Sequence, residues 1–403
     1  MQGGQAIAHF SFRTAGETHG PALVTVVEGV PAGLPVGAGE INRELARRQV
    51  GYGRGERMQI EKDEVEILSG VRFGKAMGGP VAMLLRNRDW VNWREKMAQD
   101  GDGEGVPKLD TARPGHADLP GILKYGHEDV RNVLERASAR ETAARVMAGA
   151  LAKAILRDLG VEIVGHVLSI GKYRVSSGIE GNSKAAARAE GSPLRMADPR
   201  VEAEVKRWID GVKEAGTTAG GVVEVIAAGV PPGLGSYVAW DRRLDGRLGQ
   251  ALMCIPAIKG VEVGGGVGLA GLPGIDVHDE VFPGGNPAAL FLGKYLLPFH
   301  RDTNRAGGLE GGMTNGEPVV VRAAMKPIPT QSVPLRTVTV GRFAATTAHR
   351  ERSDVCAVPA ASVVAETMVA IVLADAFLEK FGGDAMRDIL YNYSGYLRRI
   401  CGE

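Results

Sequence analysis

Aromatic side chains are scarce in this chain, at 5% Phe, Trp and Tyr, and neither sign of charge prevails, since 48 Lys and Arg face 47 Asp and Glu for a formal net charge of +1. A nucleic-acid binder needs a basic face and stacking rings, so both absences argue against that class and against an anionic membrane surface. Any anion site has to be built locally. The three cysteines, Cys254, Cys356 and Cys401, form neither a disulfide framework nor a C-x-x-C metal spacing, which fits a reducing, cytoplasmic setting. No histidine pair has H-E-x-x-H spacing, and no metal is assigned. The N-terminal MQGGQAIAHFSFR has no charged segment leading into an apolar run, so no secretory signal is visible. The most apolar stretch, MVAIVLADAFL at 368–378, is too short to span a bilayer and contains Asp375, so it reads as a buried helix. A G-x-x-x-x-G-K-[ST] loop is also missing, which sets aside P-loop nucleotide hydrolases.

What is present begins with a repeat. VTVVEGVPAGLPV at 24–36 recurs as VEVIAAGVPPGLGS at 223–236, GKAMGGPVAMLLRN at 74–87 resembles GGMTNGEPVVVRAAMKP at 311–327, and ARETAARVMAGALAKAIL at 139–156 resembles VAETMVAIVLADAFLEKF at 364–381. Three co-linear matches predict an α+β chain of two related halves, about 1–175 and 200–403, each built of strands plus a long helix. The stretch 176–199, rich in Gly, Ala, Ser and charge, reads as a surface insertion between them.

The helix near 139 has the clearest local signature. Ser138 and Glu141 match a capping box, Met147, Leu151, Ile155 and Leu159 form an apolar stripe, and Gly160 ends it. Its N-terminus, preceded by Arg136, is a candidate anion seat. RRQVGYGRGERM at 47–58 sets Arg47, Arg48, Arg54 and Arg57 among glycines, a pattern suited to convergent forks on a small anionic ligand. Two histidines follow glycine-loosened turns, His19 in RTAGETHGP and His116 in RPGHAD, and Asp354 stands in RSD ahead of the last apolar helix. Together these groups could move protons on an anionic substrate. His9, His127, His166, His278, His300 and His349 lack such contexts. GVGLAG at 266–271 satisfies G-x-G-x-x-G after a strand-like run, which leaves an NAD(P)-dependent oxidoreductase as the second reading, although Pro273 and Gly274 stand where the phosphate-binding helix should start.

GETHG, RRQVGYGRGERM, RPGHADLPGILKYGHEDVR, RASARETAARV, NRAGGLEGGMTNGEPVVVRAAMKPIPT and RSDVCAVPAASVVAETMVA, in this order over nearly the whole chain, resemble the chorismate synthase family. The resemblance implies a single-domain β-α-β sandwich with internal pseudo-twofold duplication, antiparallel sheets packed with long helices, and a homotetramer. It implies 1,4-anti elimination of phosphate from 5-enolpyruvylshikimate 3-phosphate to give chorismate, dependent on reduced FMN without net redox change. Carried over position by position, His19 protonates the departing phosphate, His116 protonates the reduced flavin, and Asp354 works with the flavin in removing the substrate proton. FMN contacts are implied at Arg136, Ala137, Ser138, Pro256, Ala257, Gly311, Lys326, Pro327, Ile328, Pro329, Thr330 and Arg352. Arg48 and Arg54 match positions for pyridine nucleotide, yet their charge suits substrate phosphate or carboxylate equally. RNVLERAS replaces the glycine-rich RGGGRSS of many relatives, and Pro256 is unusual. NADPH is a possible reductant of the flavin, and with no reductase domain visible an external flavin reductase is the favoured source.

Overall fold

In the computed structural model, which describes residues 9–55, 62–175, 183–287, 289–351 and 353–402, the β-rich runs become two antiparallel sheets. Strands β1 (Ser11–Ala15), β2 (Ala22–Glu28), β3 (Val65–Ile67) and β4 (Val81–Arg86) form the first, in the order β1-β2-β4-β3. Leu23, Thr25 and Val27 of β2 are buried, as are Val81, Met83 and Leu85 of β4, because every second side chain of a strand faces the same way. The second sheet holds β5 (Glu162–Ile170), β6 (Tyr173–Arg174), β7 (Gly221–Ala228), β8 (Ile258–Val263) and β9 (Val319–Met325), ordered β8-β9-β7-β5-β6.

Four helices fill the space between the sheets. Helix α1 (Ala38–Gln49) packs on the first sheet, while α2 (Asp118–Tyr125) and α3 (Arg131–Ala137) lead into α4 (Thr142–Asp158), which also lies on that sheet. Beyond α5 (Ser183–Gly191) and α6 (Pro199–Glu214), α7 (Leu244–Met253) and α8 (Val358–Phe381) pack on the second sheet, and α9 (Met386–Cys401) closes the chain. Contact between α4 and α8 joins the layers into the α+β sandwich. Because α8 meets the second sheet on one side and α1, α4 and α7 on others, its apolar residues need no polar face. By length and composition it could cross a membrane, being longer than the apolar run 368–378, but 94% of its apolar window is buried inside the protein. Asp375 is satisfied there by the Phe10 N–H at 2.8 Å and by Arg247.

The orders β1-β2-β4-β3 and β5-β7-β9-β8 correspond strand for strand. Each G-V-P-x-G-L motif follows the second strand of its set, with Gly29 and Gly229 at φ +80° and +77° and with Leu34 and Leu234 fully buried. Of the expected surface insertion, 176–182 lies outside the described residues, whereas the remainder packs inward. Ala185 and Ala189 cover Ile226 and Val320 on the second sheet, and Leu194 and Met196 are buried in the main core. Small and apolar residues spaced along a short helix outweigh the polar composition of the stretch.

Two further expectations are corrected. Ser138 Oγ accepts from Arg140 N–H at 3.3 Å, but a 3₁₀ turn, Ala139–Glu141, comes first, and the Glu141 carboxylate takes Thr14 Oγ1 and Arg145 Nε, each at 2.8 Å, instead of reaching back to complete a capping box. GVGLAG follows β8, which runs antiparallel to β9, and folds as a 3₁₀ segment, Gly266–Gly271, that passes into extended backbone at Leu272 and Pro273. A dinucleotide fold needs a parallel strand feeding a helix, so the oxidoreductase reading fails on topology.

The α4–α8 crossing depends on Gly149. A Cβ there would stand 1.6 Å from Thr367 Cγ2. Gly149→Ala is therefore expected to lower unfolding stability by roughly 1–3 kcal/mol in urea titrations, and Thr367→Ser, which deletes the nearest methyl but keeps a Cβ 2.7 Å from the added group, is expected to recover only part of the loss.

Candidate functional site

The β1–β2 turn is tight enough to require glycine: at Gly16, φ +103°, a Cβ would come within 2.2 Å of the Ala22 carbonyl oxygen. This turn carries His19, 7% exposed, into the protein. Its Nδ1 lies 2.8 Å from Glu135 Oε1, and its backbone N–H donates to Glu135 Oε2 at 2.8 Å. The imidazole stacks on Trp93 at 3.8 Å between centroids. Burial alone would push the Glu135 carboxyl up, but the hydrogen bonds and charge of His19, with Arg131 adding, bring it below its ordinary value. Arg136 turns to this loop, donating to the Gly16 and Thr14 carbonyls at 3.1 and 2.9 Å.

His116 has the same kind of partner. Its Nδ1 is 2.5 Å from Asp118 Oδ1, and Asp118 is wholly buried at the start of α2. Arg113 clamps the other side of that carboxylate, with Nε 2.8 Å from Oδ2, and donates through Nη1 to Thr330 Oγ1 at 3.0 Å. Burial opposes the Asp118 charge, yet the His116 and Arg113 hydrogen bonds outweigh it and hold the carboxyl far below the usual carboxylate range.

Arg48 runs to the start of α4, where Nε donates to Thr142 Oγ1 and Nη2 to the Ala139 carbonyl, both at 2.9 Å. Its Nη1 is buried with no hydrogen-bond partner among the described residues, and Asp63 Oδ2 is 3.8 Å away. Burial pulls this guanidinium down to about 9, with Asp63 opposing the shift and the nearby charges of Arg54 and Arg140 adding to it. Arg140 grips Asp63 at 2.7 and 2.9 Å and reaches Asn87 Oδ1 at 3.1 Å, while Asn87 Nδ2 holds the Gly20 carbonyl at 2.8 Å. The arginine cluster is thus wired to the His19 turn. Arg54 pairs with Asp354 at 2.7 Å, and Asp354 Oδ1 accepts the Gly55 N–H at 2.7 Å. Asp354 is no helix cap: α8 has Ala357 at its N-cap position, without a side-chain cap.

Residues 349–351 and 354 reach the surroundings of these groups. His349 Nδ1 is 2.7 Å from the Thr111 carbonyl, Glu351 lies 3.8 Å from Arg131, and Asp354 binds Arg54. Along 326–330, Lys326 Nζ donates to the Gly115 carbonyl at 2.5 Å, its N–H to the Ala257 carbonyl at 3.0 Å, and Thr218 Oγ1 to the Ile328 carbonyl at 2.7 Å. Ala257, beside Pro256, adopts φ +69°. Lys326, Pro327, Ile328, Pro329 and Thr330 therefore sit with His116, and Arg136, Ala137 and Ser138 lie beside the His19 turn. Gly311 stands apart, in a turn whose neighbour Gly312 accepts the Leu244 N–H at 2.9 Å. Arg352 and Arg57 lie outside the described residues.

Composition and spacing did not flag Glu135, Asp118, Asp63, Asn87, Arg140, Trp93 or His349 as parts of a site. Asp118 had a usable signal, two positions after His116. The others depend on contacts across long separations. His349 is displaced below its ordinary value by burial, with Arg113 adding, and its Nε2 has no hydrogen-bond partner among the described residues.

A sequence model of the family described as chorismate synthase matches residues 10–378. The chain belongs to the chorismate synthase family. It is 54% identical over 385 residues to the chorismate synthase of Trichlorobacter lovleyi, covering 95% of this chain and 97% of that one. To that of Geotalea daltonii it is 53% identical over 392 residues, covering 97% and 99%. A crystal structure of chorismate synthase superposes with a TM-score of 0.78 at 43% identity, covering 99% of this chain and all of the other. The chemistry is that of the family: a carbon–oxygen lyase of the shikimate pathway, eliminating phosphate from 5-enolpyruvylshikimate 3-phosphate to give chorismate.

Proposed function

We propose that the elimination takes place among the His19 turn, the His116 turn, Asp354 and the Arg48, Arg54 and Arg140 cluster, and that it depends on reduced FMN. That convergence of four distant segments is the observation that carries the reading. The residues suit a flavin. Lys326 offers a half-exposed ammonium, Thr330 a hydroxyl, and Ala137, Pro256 and Ala257 small apolar side chains, with Arg136 and Ser138 beside them, whereas Gly311 lies apart from this group and is not supported as a contact. Reduced flavin, when bound, supplies an electron-rich surface that stabilises the electron deficiency arising as the allylic C–O bond breaks.

This chain's own groups do the rest. Arg48, whose buried Nη1 has no hydrogen-bond partner among the described residues and lies 3.8 Å from Asp63, and Arg54 hold an anionic group, either the substrate's phosphate or carboxylate or a phosphate of a pyridine nucleotide, because a fixed donor already desolvated interacts strongly with an anion. His19 gives a proton to the leaving phosphate, Asp354 takes up the proton lost from the ring, and His116 holds a proton at the flavin. The chain works as a single domain of two related halves, supported by the matching strand orders. It acts in the cytoplasm as a homotetramer, with flavin reduced by an external reductase and NADPH as the ultimate donor.

Anaerobic enzyme given pre-reduced FMN and 5-enolpyruvylshikimate 3-phosphate is expected to release phosphate and chorismate over many turnovers without stoichiometric consumption of reductant. Consumption of one reductant per turnover, or flavin binding without phosphate release, overturns the proposal. Light scattering on the same sample tests the tetramer.

A further inference from the structure

Glu135 is buried at the C-terminal end of α3, 2% exposed, and four groups of the neighbouring turn converge on it. His19 Nδ1 meets Oε1 at 2.8 Å, the His19 N–H donates to Oε2 at 2.8 Å, and Thr18 donates to the Glu135 carbonyl through both its N–H and its Oγ1, each at 3.0 Å. Arg131, one turn earlier on α3, pairs with Oε1 at 3.2 Å and lies 4.9 Å over Trp93, the ring on which His19 stacks. Trp93 is anchored in turn by its Nε1–H to Asp89 Oδ2 at 3.2 Å. The imidazole is therefore fixed in its plane by the indole and in its rotation by the carboxylate.

We propose that Glu135 is a positioning residue for His19, fixing the tautomer and aim of the ring that serves the departing phosphate. A carboxylate only accepts hydrogen bonds, so the proton in the Glu135–His19 contact resides on Nδ1. With Nδ1–H committed, the imidazole exchanges its proton at Nε2 and cannot flip to offer Nδ1. The same logic operates where a buried carboxylate orients a catalytic histidine: loss of the carboxylate leaves the ring in place but in the wrong tautomer. The second bond, from the His19 main-chain N–H to the same carboxylate, ties ring and backbone to one anchor, so the turn cannot shift without releasing the imidazole. Glu135 touches neither substrate nor flavin in this scheme and acts through His19.

The inference rests on the assignment of proton donation to His19, so the test is a double-mutant cycle on the full chain with pre-reduced FMN, reading kcat and KM from phosphate release. His19→Ala is expected to lower kcat about a hundredfold. Glu135→Gln, which keeps size and removes the charge, is expected to lower kcat roughly tenfold or more with KM changed less than about threefold. In the His19→Ala background the same Glu135→Gln change is expected to cost less than about twofold, because the group it acts through is gone. Equal losses in both backgrounds would show that Glu135 supports the turn and α3 instead, and would overturn the proposal while leaving His19 in its role. An unchanged kcat in His19→Ala removes His19 from proton donation and the proposal with it. If Glu135→Gln does not fold, Glu135→Asp, which keeps the charge at shorter reach, carries the cycle, and its smaller loss is likewise expected to vanish without His19.

Discussion

Asp354→Asn is expected to lower kcat by about a hundredfold or more while reduced FMN and substrate still bind, the usual scale for loss of a general base. Both carboxylate oxygens are already held, Oδ2 by Arg54 at 2.7 Å and Oδ1 by the Gly55 N–H at 2.7 Å, so the side chain is oriented before substrate arrives. Asparagine preserves its size and can still accept from Gly55 through its single amide oxygen, but it cannot take up a proton. Asp354 caps no helix, so the change costs chiefly its pair with Arg54, and the variant is expected to fold with reduced stability. Single-turnover phosphate release under anaerobic conditions, with flavin binding measured in parallel, reads the effect. Turnover near that of the parent in a folded, flavin-loaded variant would falsify the assignment.

Glu366→Gln is expected to have the largest effect on stability, a loss of about 3–5 kcal/mol in urea unfolding at neutral pH and fixed protein concentration. Glu366 is 1% exposed in the middle of α8, where it binds Arg47 of α1 at 2.8 Å and Lys153 of α4, with Arg195 at 3.7 Å and the Gly165 N–H of β5 at 2.8 Å. One carboxylate thereby bridges cations from several layers of the sandwich, and removing its charge leaves Arg47, Lys153 and Arg195 to the more peripheral Glu44 and Glu190 alone. Burial opposes ionisation, but Lys153, Arg47 and Arg195 more than offset it and hold the carboxyl at about 2 against an ordinary 4.5. A depressed carboxyl pKa contributes stability that is complete above its unfolded value and is lost as pH falls through the folded one. The gap between parent and Glu366→Gln is thus expected to be full at pH 6 to 7 and to shrink between about 4.5 and 2. A gap that stays constant down to pH 2 would show that the glutamate acts through shape and not through charge.

Much was legible locally. The strands β2 and β4 announce themselves by alternation and β7 and β9 by continuous β-rich apolar runs, α4 by its apolar stripe and the glycine after it, and the G-V-P-x-G-L turns by glycines that adopt positive φ. These signals are short-range, since burial pattern, propensity and turn chemistry act over a few residues. The resemblance named His19, His116 and Asp354 by the same means, as motifs readable one at a time.

The tertiary structure alone decided which groups stand together. Glu135 is 116 residues from His19, Arg113 is 217 from Thr330, and Arg54 is paired with an aspartate from the far end of the chain. No periodicity links such positions, because side chains that distant meet only after two sheets have closed over the helices. The same closure set the fate of ambiguous stretches. Residues 183–198 look polar enough for a surface loop, yet the outer face of the second sheet gave their alanines something to cover. Helix α8 is apolar on all sides because it touches a sheet and three helices at once, and its one buried glutamate is tolerated because three other segments bring cations to it. A sequence specifies each side chain's chemistry and the local period on which it falls. Whether that chemistry is solvated, paired or aimed at a substrate is fixed by desolvation and by partners that only the assembled layers supply.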